Sequence, residues 1–469
     1  MIFNYLLQEF LVRSLFIIAS AIVLFSCSGG SSTKGISTPD KSLADNLIPM
    51  QQRAQWIDNT FQHRVDTLLP KLMKKTGIDA WILISREYNE DPVLKTMLPA
   101  TWLSARRTTI FVFFLSESEQ NKVEAYAVAP YNVGSAFKKG WDKKAQPDQW
   151  QALVKLLEQH NPKKIGINQS EIWSHADGLV VTDHKKLLQA LPTTLSNKLV
   201  SAEALAVAWL EQRTANEIAM YKDIVALAHD IIAEGFSNKV ITPGVTTTED
   251  VRWWYRERVR ELKLQSWFHP SVSLQRSDAV SFDHEKTFTN GSKDDVILPG
   301  DLLHVDFGIT YLRLNTDTQQ HAYVLQHNET SAPDYLVEAL KKGNRLQDIF
   351  TSLFEQGKTG NQILQQARQQ AIDEGLNPMI YTHPIGYHGH AAGTTLGMWD
   401  AQEGVPGDGD YPLHTNTAYS IELNNAVYID EWNKEIRIML EEDAIFDGTG
   451  VWYLNGRQTE FHLINAHSK

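Results

Sequence analysis

The chain is poor in thiols, in net positive charge and in long apolar runs. Cysteine occurs once, as Cys27, so no disulfide can form within the chain. A formal charge of −12 argues against a general nucleic-acid binder, which needs a basic face. After the N-terminus no apolar run is long enough to span a membrane. There is no repeat of solenoid period, and no low-complexity segment beyond a polar stretch near the N-terminus. What is present is globular: 42% hydrophobic and 21% charged residues, enough to build packed cores. At 469 residues the chain exceeds one ordinary core, so two domains are expected.

The first residues differ in kind from the rest. Arg13 precedes an apolar run from Ser14 to Phe25, and Leu24-Phe-Ser-Cys27 follows. This resembles a bacterial lipoprotein signal cleaved just before Cys27, whose thiol would carry the lipid. Residues 1–26 are thus read as signal peptide, and 27–50, rich in Ser, Gly and Thr, as a flexible tether. Ser28 stands where an aspartate would retain such a protein in the inner membrane. The expected location is therefore the cell envelope, at the outer membrane facing the periplasm, and a mature part without thiols suits that compartment. The alternative is an ordinary secretory signal with an incidental cysteine.

Residues 51–203 read as an α/β domain. Arg53 to Lys75 has helical spacing, stopped by Thr76-Gly77. Ala80 to Ile84, Thr109 to Leu115, Val123 to Ala129 and Lys164 to Asn168 read as strands. Gln149 to Gln159 reads as a helix with Trp150, Leu153, Val154 and Leu157 on one face. Residues 204–469 form the second domain. Thr214-Ala-Asn-Glu217 is a capping box opening a long helix, and Glu249 to Leu262 is a second helix, with Pro243-Gly244 between them. From Asp295 onward strands are expected to dominate: Asp301 to Gly308, Tyr311 to Val324, Ala418 to Ile429 and Glu435 to Phe446.

Candidate chemistry lies in the last third. Asp306 and Asp317, eleven residues apart, can meet across a strand, a turn and a returning strand. Two carboxylates at that range would hardly ionise together without cations between them. Taken alone, they could equally be turn aspartates. His390 lies between Gly389 and Ala391-Ala392-Gly393, where small neighbours allow close approach, and His383 and His388 lie nearby. Glu422 sits in an apolar strand, where an unpaired carboxylate is costly. Glu441 and Glu442 are adjacent in another strand, so they point to opposite faces and only one of them can join the set. Four carboxylates and an imidazole can hold two divalent cations that share a water and aim it at a carbonyl, which is hydrolysis.

Together these frames resemble the pita-bread metallopeptidases, M24, the family of methionine aminopeptidase, Xaa-Pro aminopeptidase and prolidase. The resemblance covers about residue 205 to the end, and residues 51–203 resemble the N-terminal domain of the creatinase, prolidase and Xaa-Pro aminopeptidase branch. It implies an α+β fold: a pita-bread catalytic domain after a smaller α/β domain. It implies five metal ligands, matched as Asp306, Asp317, His390, Glu422 and Glu442, the last preferred over Glu441 because Asp443 follows it. It implies two divalent cations, Mn²⁺ foremost with Zn²⁺ or Co²⁺ as alternatives, since oxygen-rich ligation favours hard ions. A metal-bridging hydroxide would attack the scissile carbonyl, and Glu422 would shuttle its proton. The implied activity is that of an Xaa-Pro aminopeptidase or Xaa-Pro dipeptidase.

The family also places a histidine upstream of the first aspartate, for which His284 is the match, and another seven residues after the metal histidine. From His390 that second position falls in Thr394 to Asp400, which holds no histidine. His383 or His388 is expected to take its substrate-contacting role. Asp317-Thr-Gln-Gln and Glu422-Leu-Asn also depart from the family pattern. These departures favour the alternative reading, a non-catalytic peptide-binding protein of the envelope; the complete ligand set opposes it. A creatinase-like amidinohydrolase is disfavoured, because its fold needs no metal cluster. The expected partners are a peptide substrate and the membrane through the lipid anchor, with a homodimer left open and no nucleic acid.

Overall fold

The computed structural model describes residues 47–116, 122–280 and 295–466. Cys27, the signal, most of the tether and His284 lie outside the described residues. The described residues belong to one compact unit built on two large sheets.

The first sheet comprises β1 (Ala80–Arg86), β2 (Thr108–Leu115), β3 (Val123–Val128), β4 (Lys138–Lys139), β5 (Ile165–Ile167) and β6 (Leu199–Ser201), in the order β4-β3-β2-β1-β5-β6. Its central strands are apolar without alternation over Ala80 to Ile84 and Ile110 to Leu115, because both faces are covered. Trp81, Leu83, Phe111 and Phe113 join a core with helices Met50–Thr67, Leu69–Thr76 and Glu203–Glu211. Ile82, Ile84, Ile110 and Val112 face the other way, against helices Gln149–His160 and Val181–Ala190. The single helix expected over Arg53 to Lys75 is two helices, broken at Leu68. Pro70 explains the break: it has no N–H to donate and its ring collides with a preceding carbonyl, so it starts a helix instead of continuing one.

The second sheet has nine strands. Its main path is β12-β14-β15-β11-β8-β7, with β7 (Ser271–Gln275), β8 (Leu302–Phe307), β11 (Thr318–Val324), β12 (Pro378–Ile380), β14 (Thr417–Ile429) and β15 (Lys434–Phe446). β13 (His383–Pro384) adds to β14, β16 (Val451–Tyr453) to β15 and β17 (His462–Ile464) to β11. The expected strand Tyr311 to Val324 is interrupted. β9 (Thr310–Tyr311) and β10 (Leu314–Asn315) form a tight hairpin around Leu312 and Arg313, both left-handed, and only then does β11 begin. Arg313 reaches from that turn to the carbonyls of Thr96 and Leu98, tying it to the first domain.

Helices back this sheet on the side away from the cleft. Ala215–Gly235 and Thr248–Glu261 open on capping boxes, Thr214 with Glu217 and Thr247 with Asp250, and cover the β7, β8 and β11 half. Asp334–Ser352 and Gly360–Asp373 cover the β14 and β15 half. The sequence reading, with strands dominating beyond Asp295, missed these two helices, although the second also opens on a capping box, Thr359 with Gln362. Gly343 lets the first of them approach closely, since a Cβ there would stand 2.8 Å from Ile438. Among the described residues no helix is long and apolar enough to cross a membrane.

Candidate metal centre

Strand register assembles the site. Glu422 pairs with Glu441, Glu441 with Gln319, Gln319 with Asp306 and Asp306 with Ser271. Directly paired residues point to the same face, so one transverse row carries three carboxylates around an amide. Asp317 lies two residues before Gln319 and shares that face. His383 on β13 pairs with Ser420, two residues before Glu422, and so joins from the β14 side. Gly308 lets the chain turn back after Asp306: a Cβ would stand 2.3 Å from the carbonyl oxygen of Thr316.

The resulting atoms are close but not bonded. His383 Nε2 is 3.8 Å from Asp317 Oδ2, 3.8 Å from Glu441 Oε1 and 4.0 Å from Glu422 Oε2. Its Nδ1 lies 3.0 Å from the carbonyl oxygen of Pro384, so that nitrogen is the donor and Nε2 presents a lone pair to the carboxylates. Asp306 Oδ1, Asp317 Oδ1 and His383 Nε2 are buried without a hydrogen-bond partner. Three groups of ligand atoms lie within 4.8 Å of one another: Asp306, Asp317 and Glu441; His383, Glu422 and Glu441; Asp317, His383 and His390.

The electrostatics of the bare residues are unfavourable. Burial, then repulsion from the neighbouring carboxylates, holds Asp317, Glu422 and Glu441 well above the ordinary carboxylate range. Burial raises Asp306 to about 7. Burial, with His390 beside it, lowers His383 to about 3, so its imidazole is neutral. Crowded acids, orphaned oxygens and a neutral imidazole aimed among them are the donor set a hard or borderline divalent cation requires. The residues present therefore fit the metals expected.

Two of the expected residues lie away from the row. Glu442 does not join the row. It points to the opposite face, 2.8 Å from His229 Nε2, and accepts from the Gln458 N–H at 2.9 Å; Glu441 occupies the place expected of it. The pleat decides this, because pairing with Glu422 turns residue 441, not 442, to the cleft. His388 likewise does not approach the cluster. Its ring packs against His175 of the first domain at 4.5 Å.

His383 and His390 are both brought in, their rings 4.7 Å apart and edge to face. Their spacing carries a signal that the sequence reading overlooked. His383-Pro-Ile-Gly386 is itself a His-x-x-Gly frame, and His390 follows it by seven residues. Counted from His383, the seven-residue spacing that the resemblance implies ends on His390.

The row opens onto a cleft of about 850 Å³, which Trp267, Phe268, Trp399 and Met439 help to line, together with Ile172 and His175 of the first domain. His304, two residues before Asp306, also lines it and bonds Gln319 at 2.9 Å. Gln319 in turn donates to Glu422 and Glu441. Sequence reasoning singled out neither His304 nor Gln319. Their signal is alternation along the two strands that carry the aspartates. A second cavity of about 780 Å³, beside Asn238 and Gln326, holds no metal-ligating cluster among the described residues.

The profile of metallopeptidase family M24 matches residues 219–446, which contain every residue of the row. No curated protein matches the chain. Among solved structures it is similar to the X-Pro aminopeptidase of Thermotoga maritima, with a TM-score of 0.58 at 16% identity over 84% of this chain and 99% of that one. It is similar to a putative aminopeptidase P from Bacillus anthracis, with a TM-score of 0.58 at 14% identity over 85% and 94%. It is also similar to the Xaa-Pro dipeptidase of Bacillus anthracis, with a TM-score of 0.55 at 16% identity over 89% and 100%. These likenesses span both sheets and give the fold: a pita-bread domain behind a creatinase-type α/β domain. With the profile over residues 219–446, the row of acids and this fold, it is residues 219–446 that belong to metallopeptidase family M24.

Proposed function

We propose that this chain is a dinuclear metal-dependent exopeptidase that cleaves next to proline, as an Xaa-Pro aminopeptidase or an Xaa-Pro dipeptidase. The observation that carries the reading is the pair of ligand groups that share Glu441: Asp306 with Asp317 on one side, His383 with Glu422 on the other. Glu441 and Asp317 would serve both cations, Asp306 the first, and His383 and Glu422 the second. Mn²⁺ suits this oxygen-rich set, with Zn²⁺ and Co²⁺ as competitors. Bound there, the cations supply Lewis acidity to the scissile carbonyl and lower the pKa of water.

The chain's own residues do the rest. Glu422 is more open than Asp317 and Glu441, with a side chain 15% exposed against 6% and 1%. It therefore remains the best group to take a proton from water and deliver it to the leaving nitrogen. His390 faces the cleft and offers a hydrogen bond to the substrate carbonyl or leaving nitrogen. Trp267 and Phe268 supply apolar walls against which a proline ring can pack. The preference for proline rests on the neighbours named above. The lipid anchor at Cys27 and an envelope location rest on the signal-like N-terminus alone, and fractionation of wild type against Cys27→Ser tests them.

The test of function is metal content followed by turnover. Protein reloaded with Mn²⁺ should hold two ions per chain and release the first residue from Xaa-Pro peptides. Loaded protein that cleaves nothing in a peptide library would overturn the reading.

A further inference from the structure

We propose that Tyr387, bound to Glu217 between Arg64 and Arg213, is a positioning residue for the loop that carries His383 and His390. The Tyr387 hydroxyl donates to Glu217 Oε1 at 3.0 Å. Arg64 Nη1 lies 2.7 Å from Glu217 Oε2, and Arg213 Nη1 lies 3.5 Å from Glu217 Oε1. Both guanidinium groups lie over the Tyr387 ring, Arg64 at 5.2 Å and Arg213 at 4.6 Å from its centroid. Arg64 and Glu217 are fully buried and Arg213 is 2% exposed.

Two cations and one anion sealed in a core are a poor way to gain stability, since apolar groups of the same volume often do better. What such a cluster supplies is a defined geometry. Its members come from separate places. Arg64 belongs to the helix Met50–Thr67 under the first sheet, while Glu217 caps the helix Ala215–Gly235 behind the second, its Oε2 accepting from the Thr214 N–H at 2.8 Å. Arg64 also donates to the carbonyls of Trp209 and Gln212 at the crossing between the sheets. Tyr387 packs against the cores of both halves.

The loop has little slack around this anchor. The Ile385 N–H donates to the Ala418 carbonyl at 2.9 Å, and the Gly386 carbonyl accepts from the Asn315 N–H at 2.8 Å. At Gly386 a Cβ would meet the Arg213 guanidinium at 3.1 Å. Tyr387 stands four residues after His383 and three before His390. Its hydroxyl therefore sets where both imidazoles stand, and it passes the docking of the first domain on to the metal row.

The experiment uses ¹⁵N-histidine-labelled, metal-loaded full chain and the variant Tyr387→Phe, which removes one hydroxyl and keeps the ring. The imidazole signals of His383 and His390 should shift or broaden while those of buried, distant-bonded His321 stay in place. Metal content should be retained, and kcat on an Xaa-Pro peptide should fall roughly 10–100-fold with KM little changed, the scale of a small misplacement of reacting groups. The kcat readout rests on the function proposed above; the imidazole spectra do not, so a wild type without turnover fails that proposal and leaves this one to be decided by the spectra. Should Tyr387→Phe not fold, Gly386→Ala presses on the same Arg213 from the loop side and should move the same two signals. Unmoved His383 and His390 signals in the variants that fold would overturn the inference, and a lowered Tm with unchanged spectra would assign the cluster to packing alone.

Discussion

Two neighbouring sets of buried polar groups on the second sheet are composed differently: one pairs a single acid with a histidine, the other crowds several acids into one cleft. Around Glu442 the chain supplies most of the contacts: Glu442 accepts through Oε1 from the Gln458 N–H and lies 2.8 Å through Oε2 from His229 Nε2, outside hydrogen-bond geometry, and His321 takes the Leu303 carbonyl and the Met439 N–H. In the transverse row, Asp306, Asp317 and His383 each keep a buried atom with no partner. Glu441 and Glu442 are consecutive residues, yet only Glu441 belongs to the groups whose ligand atoms converge within 4.8 Å. Buried polar groups are normally satisfied, so a cluster of exceptions in one cleft points to a ligand of opposite charge.

The sharpest way to break this contrast is to remove one carboxylate from each set. Glu441→Gln should lose metal and, with it, measurable peptidase activity, because two ligand groups share that residue. Metal analysis and turnover check it, and retained metal with full activity would return the ligand role to Glu442. His390→Ala should keep its metal content and lose about 10²–10⁴-fold in kcat/KM, the range for removing a group that hydrogen-bonds the transition state.

A third measurement tests whether the set around Glu442 and His321 stabilises the fold. Burial lowers His321 to about 4 from its ordinary 6.5, so between these values the folded chain binds fewer protons than the unfolded one. The stability from this group is complete above pH 6.5 and is lost as pH falls towards 4, about 3 kcal/mol in all. Unfolding free energy measured across that window should fall less steeply in His321→Gln than in wild type. Glu442→Gln should hold both metals and cost about 1–3 kcal/mol of stability, since it weakens partners that stay buried. His388→Ala should have the smallest effect on turnover, within roughly threefold, far below the range for losing an acid–base group. A large loss there would bring the His175 contact into the chemistry.

Much of this was legible in the residues. The apolar runs of β1 and β2, the capping box at Thr214 and the strands bearing Asp306, Glu422 and Glu441 all follow from local patterns. The hairpin expected between the two aspartates is there, although it is tightened by two left-handed residues that hydrophobic patterning cannot show. Helices Asp334–Ser352 and Gly360–Asp373 were lost to a strand-rich neighbourhood, despite apolar positions at helical spacing. The histidine frame is ambiguous in the sequence, because His-x-x-Gly occurs as His383-Pro-Ile-Gly386 and again as His390-Ala-Ala-Gly393. Spacing alone does not say which of two such frames meets the acids.

The sequence by itself determined the family, the two-part architecture and the residue types of a metal centre, because these depend on composition, period and short frames. Tertiary structure decided the members. Glu441 rather than Glu442 faces the cleft because a strand's side chains alternate, and the register with β14 and β11 selects one face. His383 enters because β13 pairs Ser420 and carries it over the row. His388 is excluded because the same loop turns it against His175 of the first domain. Each of these depends on pairing between segments distant in the chain, and that energy is not written in either segment alone.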